Sequence, residues 1–133
     1  GLGDVYKRQE EAEEVLRKAL KQGYDECLVR LYGQLRGRDP ARQLQTAEAL
    51  LKQHPQAPQL LLALGRLSLQ NGLWGKAREY FEISLEFARS PEACAELARL
   101  LASQGEAEQS NRLLQELLVL QGQRLPELPQ PSV

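Results

Sequence analysis

The chain has 133 residues, a length typical of one domain. Its 17 lysines and arginines nearly balance its 18 aspartates and glutamates, and a net charge of -1 excludes the basic surplus that nucleic-acid binding needs. Leucine occurs 27 times and alanine 14 times, whereas valine, isoleucine and threonine together number only seven, so a mainly β fold is excluded and an all-α fold is predicted.

Apolar residues recur at helical spacing along the chain and predict seven helices. The predicted ranges are near 9–21, 25–36, 40–53, 58–70, 74–88, 91–104 and 107–121. Helix-breaking residues separate them. Asn71-Gly72 and Gln104-Gly105 suit helix ends, and Ser90-Pro91 suits an N-cap followed by a first helical residue.

The two ends of the chain differ from the middle. Residues 1–8 fit no helical phase, and we interpret them as a disordered or non-native leader. Residues 122–133 are rich in proline and predict a flexible tail. The domain therefore covers 9–121. Its most apolar run, Leu60 to Leu64, is too short to span a bilayer, which takes about 20 apolar residues.

A repeat with a constant sequence shift runs through the domain. The same shift carries Leu31 to Leu64 and Leu64 to Leu97, and seven further columns of residues obey it. The units lie near 25–57, 58–90 and 91–121, preceded by half a unit. Gly65 and Ala98 occupy one column, and we expect these small residues to let the two helices of each unit approach closely.

A helix-turn-helix unit of about 34 residues with Leu64-Gly65 in its first helix and Ala77, Phe81 and Pro91 downstream resembles a tetratricopeptide repeat. This resemblance implies antiparallel helix pairs stacked as a right-handed superhelix, or α-solenoid, whose concave face is lined by the first helix of each pair. By analogy with the repeat, the predicted partner-binding residues of that face are Arg36, Gln59, Leu62, Arg66, Leu69 and Arg99.

The segment Leu73-Trp74-Gly75-Lys76-Ala77-Arg78 and the surrounding residues 24–121 are similar to the C-terminal region of the HemY family of proteobacteria. The resemblance implies an inner-membrane protein associated with haem biosynthesis, with an N-terminal anchor followed by a repeat region. This chain would then be the soluble C-terminal part, on the cytoplasmic side. The family's partners would be other proteins, including enzymes of the haem pathway.

No catalytic constellation is visible, and we predict that the chain is not an enzyme and carries no cofactor or metal. The single histidine, His54, follows a helix and suits its C-terminal dipole. Cys27 and Cys94 lie far apart in the sequence, without metal-like spacing, and we expect both to be small core residues. Trp74 lies in a turn, where we expect it to pack under the next unit.

Three hypotheses for function remain open at this point. The first is a non-catalytic scaffold whose groove holds a partner protein, with Arg36, Arg66 and Arg99 gripping a carboxylate. These arginines could equally be solvated or paired locally. The second is a tetrapyrrole carrier, with an apolar patch around Leu62 and Leu69. The third is a generic repeat module for assembly, unrelated to haem.

Overall fold

The chain folds into helices connected by short turns. The computed structural model describes residues 1–123 and 126–131, and this part contains seven helices and no strand, which confirms the all-α prediction. None of the seven is long and apolar enough to cross a bilayer. The helices are α1 (Leu2–Gln22), α2 (Glu26–Gln34), α3 (Pro40–Leu51), α4 (Pro58–Gln70), α5 (Trp74–Phe87), α6 (Pro91–Ser103) and α7 (Ala107–Leu120).

The predicted and observed helices differ mainly at the N-terminus. Helix α1 begins at Leu2, and the side chains of residues 1–8 are all exposed. Residues 2–8 belong to this helix, so the expectations of a disordered leader and of a first helix that starts near residue 9 were wrong, while the non-native origin of 1–8 stays a prediction. The predicted tail lies partly outside the described residues, and within it residues 126–131 are exposed and form no helix.

Side-chain caps fix where three of the helices begin. Asp25 accepts a hydrogen bond from the backbone N–H of Leu28 at 3.0 Å, and Asp39 does the same for Arg42 at 3.1 Å. The Ser90 hydroxyl accepts from the backbone of Ala93 at 3.2 Å, as predicted from the Ser-Pro pair. Each cap satisfies a backbone donor that the first turn leaves free. Proline occupies the first position of three helices, at Pro40, Pro58 and Pro91.

Two turns at equivalent positions of successive units have the same geometry. Gly72 and Gly105 have φ values of 70° and 79°, a backbone conformation that favours glycine. In each turn the next backbone N–H returns to the helix, from Leu73 to the carbonyl of Ser68 and from Glu106 to that of Leu101, both at 2.9 Å. This pair of Schellman motifs ends α4 and α6 where the sequence predicted.

Helix α4 lies at the centre of the fold. It contacts α2, α3 and α5, whereas α6 contacts α5 and α7. Two groups of buried apolar side chains form the core, and α4 contributes to both of them. Leu60 and Leu64 belong to the first group with residues of α1, α2 and α3, and Leu62 belongs to the second with residues of α5 and α6.

Small residues allow the closest helix contacts. A Cβ atom at Gly65 would overlap the ring of Phe81, which is fully buried, so α4 and α5 pack tightly only because this residue is glycine. This confirms the role predicted for Gly65. At the equivalent position of the preceding unit stands Tyr32, and α2 and α3 are not among the pairs of helices in extensive contact. The Tyr32 ring is buried in the first core group, and its hydroxyl donates to Glu13 of α1 at 2.8 Å.

Polar contacts bridge the gap between α2 and α3. The buried Gln43 donates from its side-chain amide to the carbonyls of Tyr32 at 2.9 Å and Leu35 at 3.0 Å, and accepts from the N–H of Gly37 at 3.1 Å. These bonds satisfy backbone groups at the C-terminal end of α2 that have no partner within the helix. In this first unit Leu31, an anchor of the predicted apolar face, is 51% exposed, and the side chains of Val29 and Tyr32 enter the core instead.

Changing Gly33 to alanine tests the contact between α2 and α4. A Cβ there would lie 2.6 Å from the Cβ and 2.7 Å from the Cα of Ala63, and a backbone atom cannot move aside cheaply. We expect Gly33→Ala to lower the free energy of unfolding by about 1–3 kcal/mol in urea titrations followed by circular dichroism.

Gly75→Ala is the matched control, because nothing lies within 4 Å of a Cβ at that helical position. It should leave stability unchanged or raise it by up to about 1 kcal/mol. Equal effects of the two substitutions would contradict the close approach of α2 to α4.

Candidate functional site

Two adjoining cavities lie along α2, α4 and α6. The first, which we term the arginine groove, has a volume of about 270 Å³ and is lined by Gly33, Gln34, Arg36, Arg66, Leu69, Gln70, Glu96 and Arg99. The second, which we term the tryptophan pocket, has a volume of about 460 Å³ and is lined by Leu69, Trp74, Arg99, Leu100, Ser103 and Gln104. Leu69 and Arg99 line both, so the two cavities are adjacent.

A carboxylate links two arginines in the groove. Glu96 accepts from Nε of Arg66 at 3.2 Å through one oxygen and from Nη2 of Arg99 at 2.8 Å through the other. The Arg66 and Glu96 side chains are 17% and 15% exposed, so this pair is shielded from solvent, whereas Arg99 is 71% exposed. The arrangement joins α4 to α6 and holds both guanidinium groups at the groove.

Each arginine keeps donors that Glu96 does not use. A guanidinium has five N–H donors in a planar fork. The Nη1 atom of Arg66 is buried and has no hydrogen-bond partner within the described part of the chain. Arg36 follows the end of α2, where its backbone N–H donates to Gln9 at 3.0 Å and its side chain is exposed. Because Arg66 Nη1 is buried, the donors that a ligand can reach are those of the exposed Arg36 and Arg99 side chains.

The structure brings together four of the six predicted face residues. Arg36, Arg66, Leu69 and Arg99 line the arginine groove. Two of these arginines are also paired locally, which was the alternative interpretation of the sequence, because Arg66 and Arg99 both bind Glu96.

Two predicted face residues lie elsewhere. Leu62 is 1% exposed and belongs with Ala93 and Cys94 to the second core group, so its prediction as a surface contact was wrong. Residues of α5 and α6 cover this position. Gln59 is half-buried and lines neither cavity; its side-chain oxygen is buried without a hydrogen-bond partner in the described residues.

Sequence reasoning also missed or misplaced two residues of the site. Glu96 was not singled out, although it lies one helical turn before Arg99 and the i, i+3 spacing favours ion pairing. Trp74 was expected to pack under the next unit, but it is 54% exposed and forms a wall of the tryptophan pocket. It is the first residue of α5, and residues of α4 and α6 line the same pocket.

The remaining groups with potential chemistry lie apart from the groove. The His54 ring stacks on Tyr24 with centroids 3.7 Å apart, and its backbone N–H binds the carbonyl of Leu50 near the end of α3. Across residues 1–123 and 126–131, no three His, Cys, Asp or Glu side chains come together as metal ligands.

The two cysteines have different environments. Cys94 is fully buried, as predicted, and its Sγ lies 3.4 Å from a carboxylate oxygen of Glu116. Burial and this neighbouring carboxylate raise the pKa of the Cys94 thiol to about 11. Cys27 is exposed, so its prediction as a core residue was wrong.

Comparisons with known proteins supply no relative, since no model of a known family and no curated protein matches the chain.

The cysteine environments predict a difference in reactivity. At about pH 8 the thiolate form of Cys94 is scarce and inaccessible, so Ellman's reagent should modify only Cys27 rapidly, and Cys94 should react only in denaturant. Cys27→Ser should remove the fast phase. Rapid reaction of both thiols in the native protein would contradict the burial of Cys94.

Proposed function

We propose that the chain is a non-catalytic protein-interaction module whose arginine groove binds an acidic segment of a partner protein. The observation that carries this proposal is the convergence of Arg66 and Arg99 on Glu96 at the edge of a cavity, where the exposed Arg99 keeps donors that Glu96 does not use. The guanidinium group of arginine binds carboxylates through two parallel hydrogen bonds, in bidentate geometry. Such charge-assisted hydrogen bonds are among the stronger polar contacts.

The charge of the groove favours an anionic ligand. Three arginines and one glutamate line it, which leaves a formal charge of two positive, although the whole chain carries -1. The positive charge is therefore local rather than a general property of the surface. A local patch of this kind attracts acidic segments and repels basic ones.

The proposed arrangement of the helices is the tetratricopeptide-repeat superhelix. Its supports are the constant shift of the sequence repeat, the matching turns at Gly72 and Gly105, and the close pairs α4–α5 and α6–α7. Contacts of α2 with α4, and of α5 with α6, join successive units. In such a superhelix the groove lined by α2, α4 and α6 is the concave face, where partner segments bind.

The proposed biological setting comes from the resemblance to the HemY family. On that basis the chain is the C-terminal part of an inner-membrane protein, and the partner is an enzyme of haem biosynthesis. Mass spectrometry of proteins that co-purify with the chain tests this setting. We expect a haem-pathway enzyme to co-purify with the wild type and to be lost from a variant that lacks the groove arginines. If no such enzyme co-purifies, the groove serves a generic assembly module unrelated to haem.

A tetrapyrrole carrier is the alternative, because the tryptophan pocket is apolar and Arg99 lines it. One of its two predicted anchors, Leu62, is buried in the core and cannot contact a macrocycle. The residues that line the two cavities include no histidine, cysteine, methionine or tyrosine that could bind haem iron. A titration with protoporphyrin followed by absorbance distinguishes the carrier from the interaction module.

The double variant Arg66→Ala/Arg99→Ala tests the proposed function. The probe is a fluorescein-labelled, amidated peptide with a central Asp-Glu pair between Gly and Ser residues, and its anisotropy reports binding. We expect the variant to bind about tenfold more weakly because it loses charge-assisted hydrogen bonds. High salt should weaken binding to the wild type.

Arg30→Ala/Arg112→Ala is the matched control, because it removes the same charge from exposed positions on α2 and α7 that do not line the groove. The peptide with Asn-Gln in place of Asp-Glu should not bind. Equal loss in both double variants, or binding of the neutral peptide, would contradict a carboxylate site in the groove.

A further inference from the structure

We infer that the partner segment carries a large apolar side chain next to its acidic residues, and that this side chain occupies the tryptophan pocket. The inference rests on the proposed function, because the acidic residues bind in the arginine groove. It adds a second subsite, lined by Leu69, Trp74 and Leu100, that determines which acidic segments the chain selects.

The tryptophan pocket has the features of a side-chain subsite. Its volume of about 460 Å³ is within the range of pockets that hold small ligands or anchor side chains. Trp74 is 54% exposed, although burial of an indole ring is strongly favourable. Tryptophan and arginine are among the residue types enriched at the positions that dominate binding energy in protein interfaces.

The pocket and the groove share two lining residues, so the acidic and apolar groups of one ligand would lie close together. Leu69 and Arg99 line both cavities, so a carboxylate held by Arg99 lies beside the apolar wall of Leu69. In an extended peptide, neighbouring side chains point to opposite sides and lie close along the chain. One peptide can therefore place an acidic and an apolar side chain in the two cavities when they are two residues apart, because residues i and i+2 point to the same side.

The polar residues around the cavities suit a peptide backbone. Gln70 donates to the carbonyl of Leu35 at 3.1 Å, and its side-chain oxygen is left to accept from a ligand N–H. The oxygen of Gln104 accepts from Arg78 at 3.2 Å, and its amide hydrogens are left to donate. Neutral donors and acceptors next to an apolar pocket match the alternation of a peptide better than the edge of a macrocycle.

Three labelled peptides test the second subsite. All contain the central Asp-Glu pair, and they differ in having serine on both sides, phenylalanine directly before the pair, or phenylalanine directly after it. We expect at least one phenylalanine peptide to bind the wild-type chain about tenfold more tightly than the serine peptide. The emission of Trp74 should also change when that peptide binds. Because Trp74 is the single tryptophan of the chain, all tryptophan emission reports on this pocket.

Substitutions then show which residue of the chain provides the added affinity for phenylalanine. Trp74→Ala should abolish the preference for phenylalanine and leave binding of the serine peptide within about twofold, while Trp74→Phe should keep most of the preference. Phe87→Ala is the matched control, because Phe87 is an exposed aromatic residue on the same helix and lines neither cavity.

The outcomes separate the inference from the proposed function. If the serine peptide binds through Arg66 and Arg99 but phenylalanine adds nothing, or adds affinity that Trp74→Ala does not remove, only the second subsite is wrong. If no peptide binds, both proposals are wrong. If protoporphyrin at micromolar concentration displaces the peptides and quenches Trp74 emission, the pocket holds a tetrapyrrole and the inference is overturned.

Discussion

The burial of α4 is the constraint on which the rest of the structure depends. Leu60 and Leu64 of this helix are fully buried in the first core group, and Leu62 is buried in the second. Burial of each leucine side chain stabilises the fold by about 1.5–3 kcal/mol relative to exposure. A rotation or shift of α4 would therefore cost a large part of the free energy of unfolding. The orientation of its remaining face, which carries Arg66 and Leu69, is therefore fixed by packing on its other sides.

The ion pair between Arg66 and Glu96 extends this constraint from α4 to α6. Shielded ion pairs contribute little net stability because desolvation offsets their attraction, but loss of one partner is costly. Their use in this chain is geometric. Glu96 restrains the shielded Arg66 guanidinium and contacts the exposed Arg99, and under the proposed function this lowers the entropy cost of ordering Arg66 on binding.

Helix positions and turns were predictable because they depend on local chemistry. The cap at Ser90, the turn glycines Gly72 and Gly105, and the prolines at helix starts all act within a few residues of their own position. The role of Gly65 was predictable from the repeat. Four of the six predicted face residues, Arg36, Arg66, Leu69 and Arg99, lie at the groove.

The remaining features depend on contacts between units, which periodicity does not specify. Leu62 occupies a predicted face position but is covered by residues of α5 and α6, and Leu31 is exposed while Val29 and Tyr32 enter the core. Trp74 was misplaced because hydrophobicity predicts burial, whereas the turn leaves its ring at the edge of a cavity. Glu96 pairs with Arg66 only because the fold brings α4 and α6 together, and no local pattern specifies that approach.

Amide hydrogen exchange of the free chain, resolved by residue with NMR, tests most directly whether α4 and α6 form a rigid, preformed groove. The account predicts that central amides of both helices exchange only through global unfolding, while those of α1 and the end of α7 exchange through local opening. Exchange of α6 amides at free energies well below that of global unfolding would contradict it, because Glu96 would then not hold Arg66 and Arg99 together in the absence of a ligand.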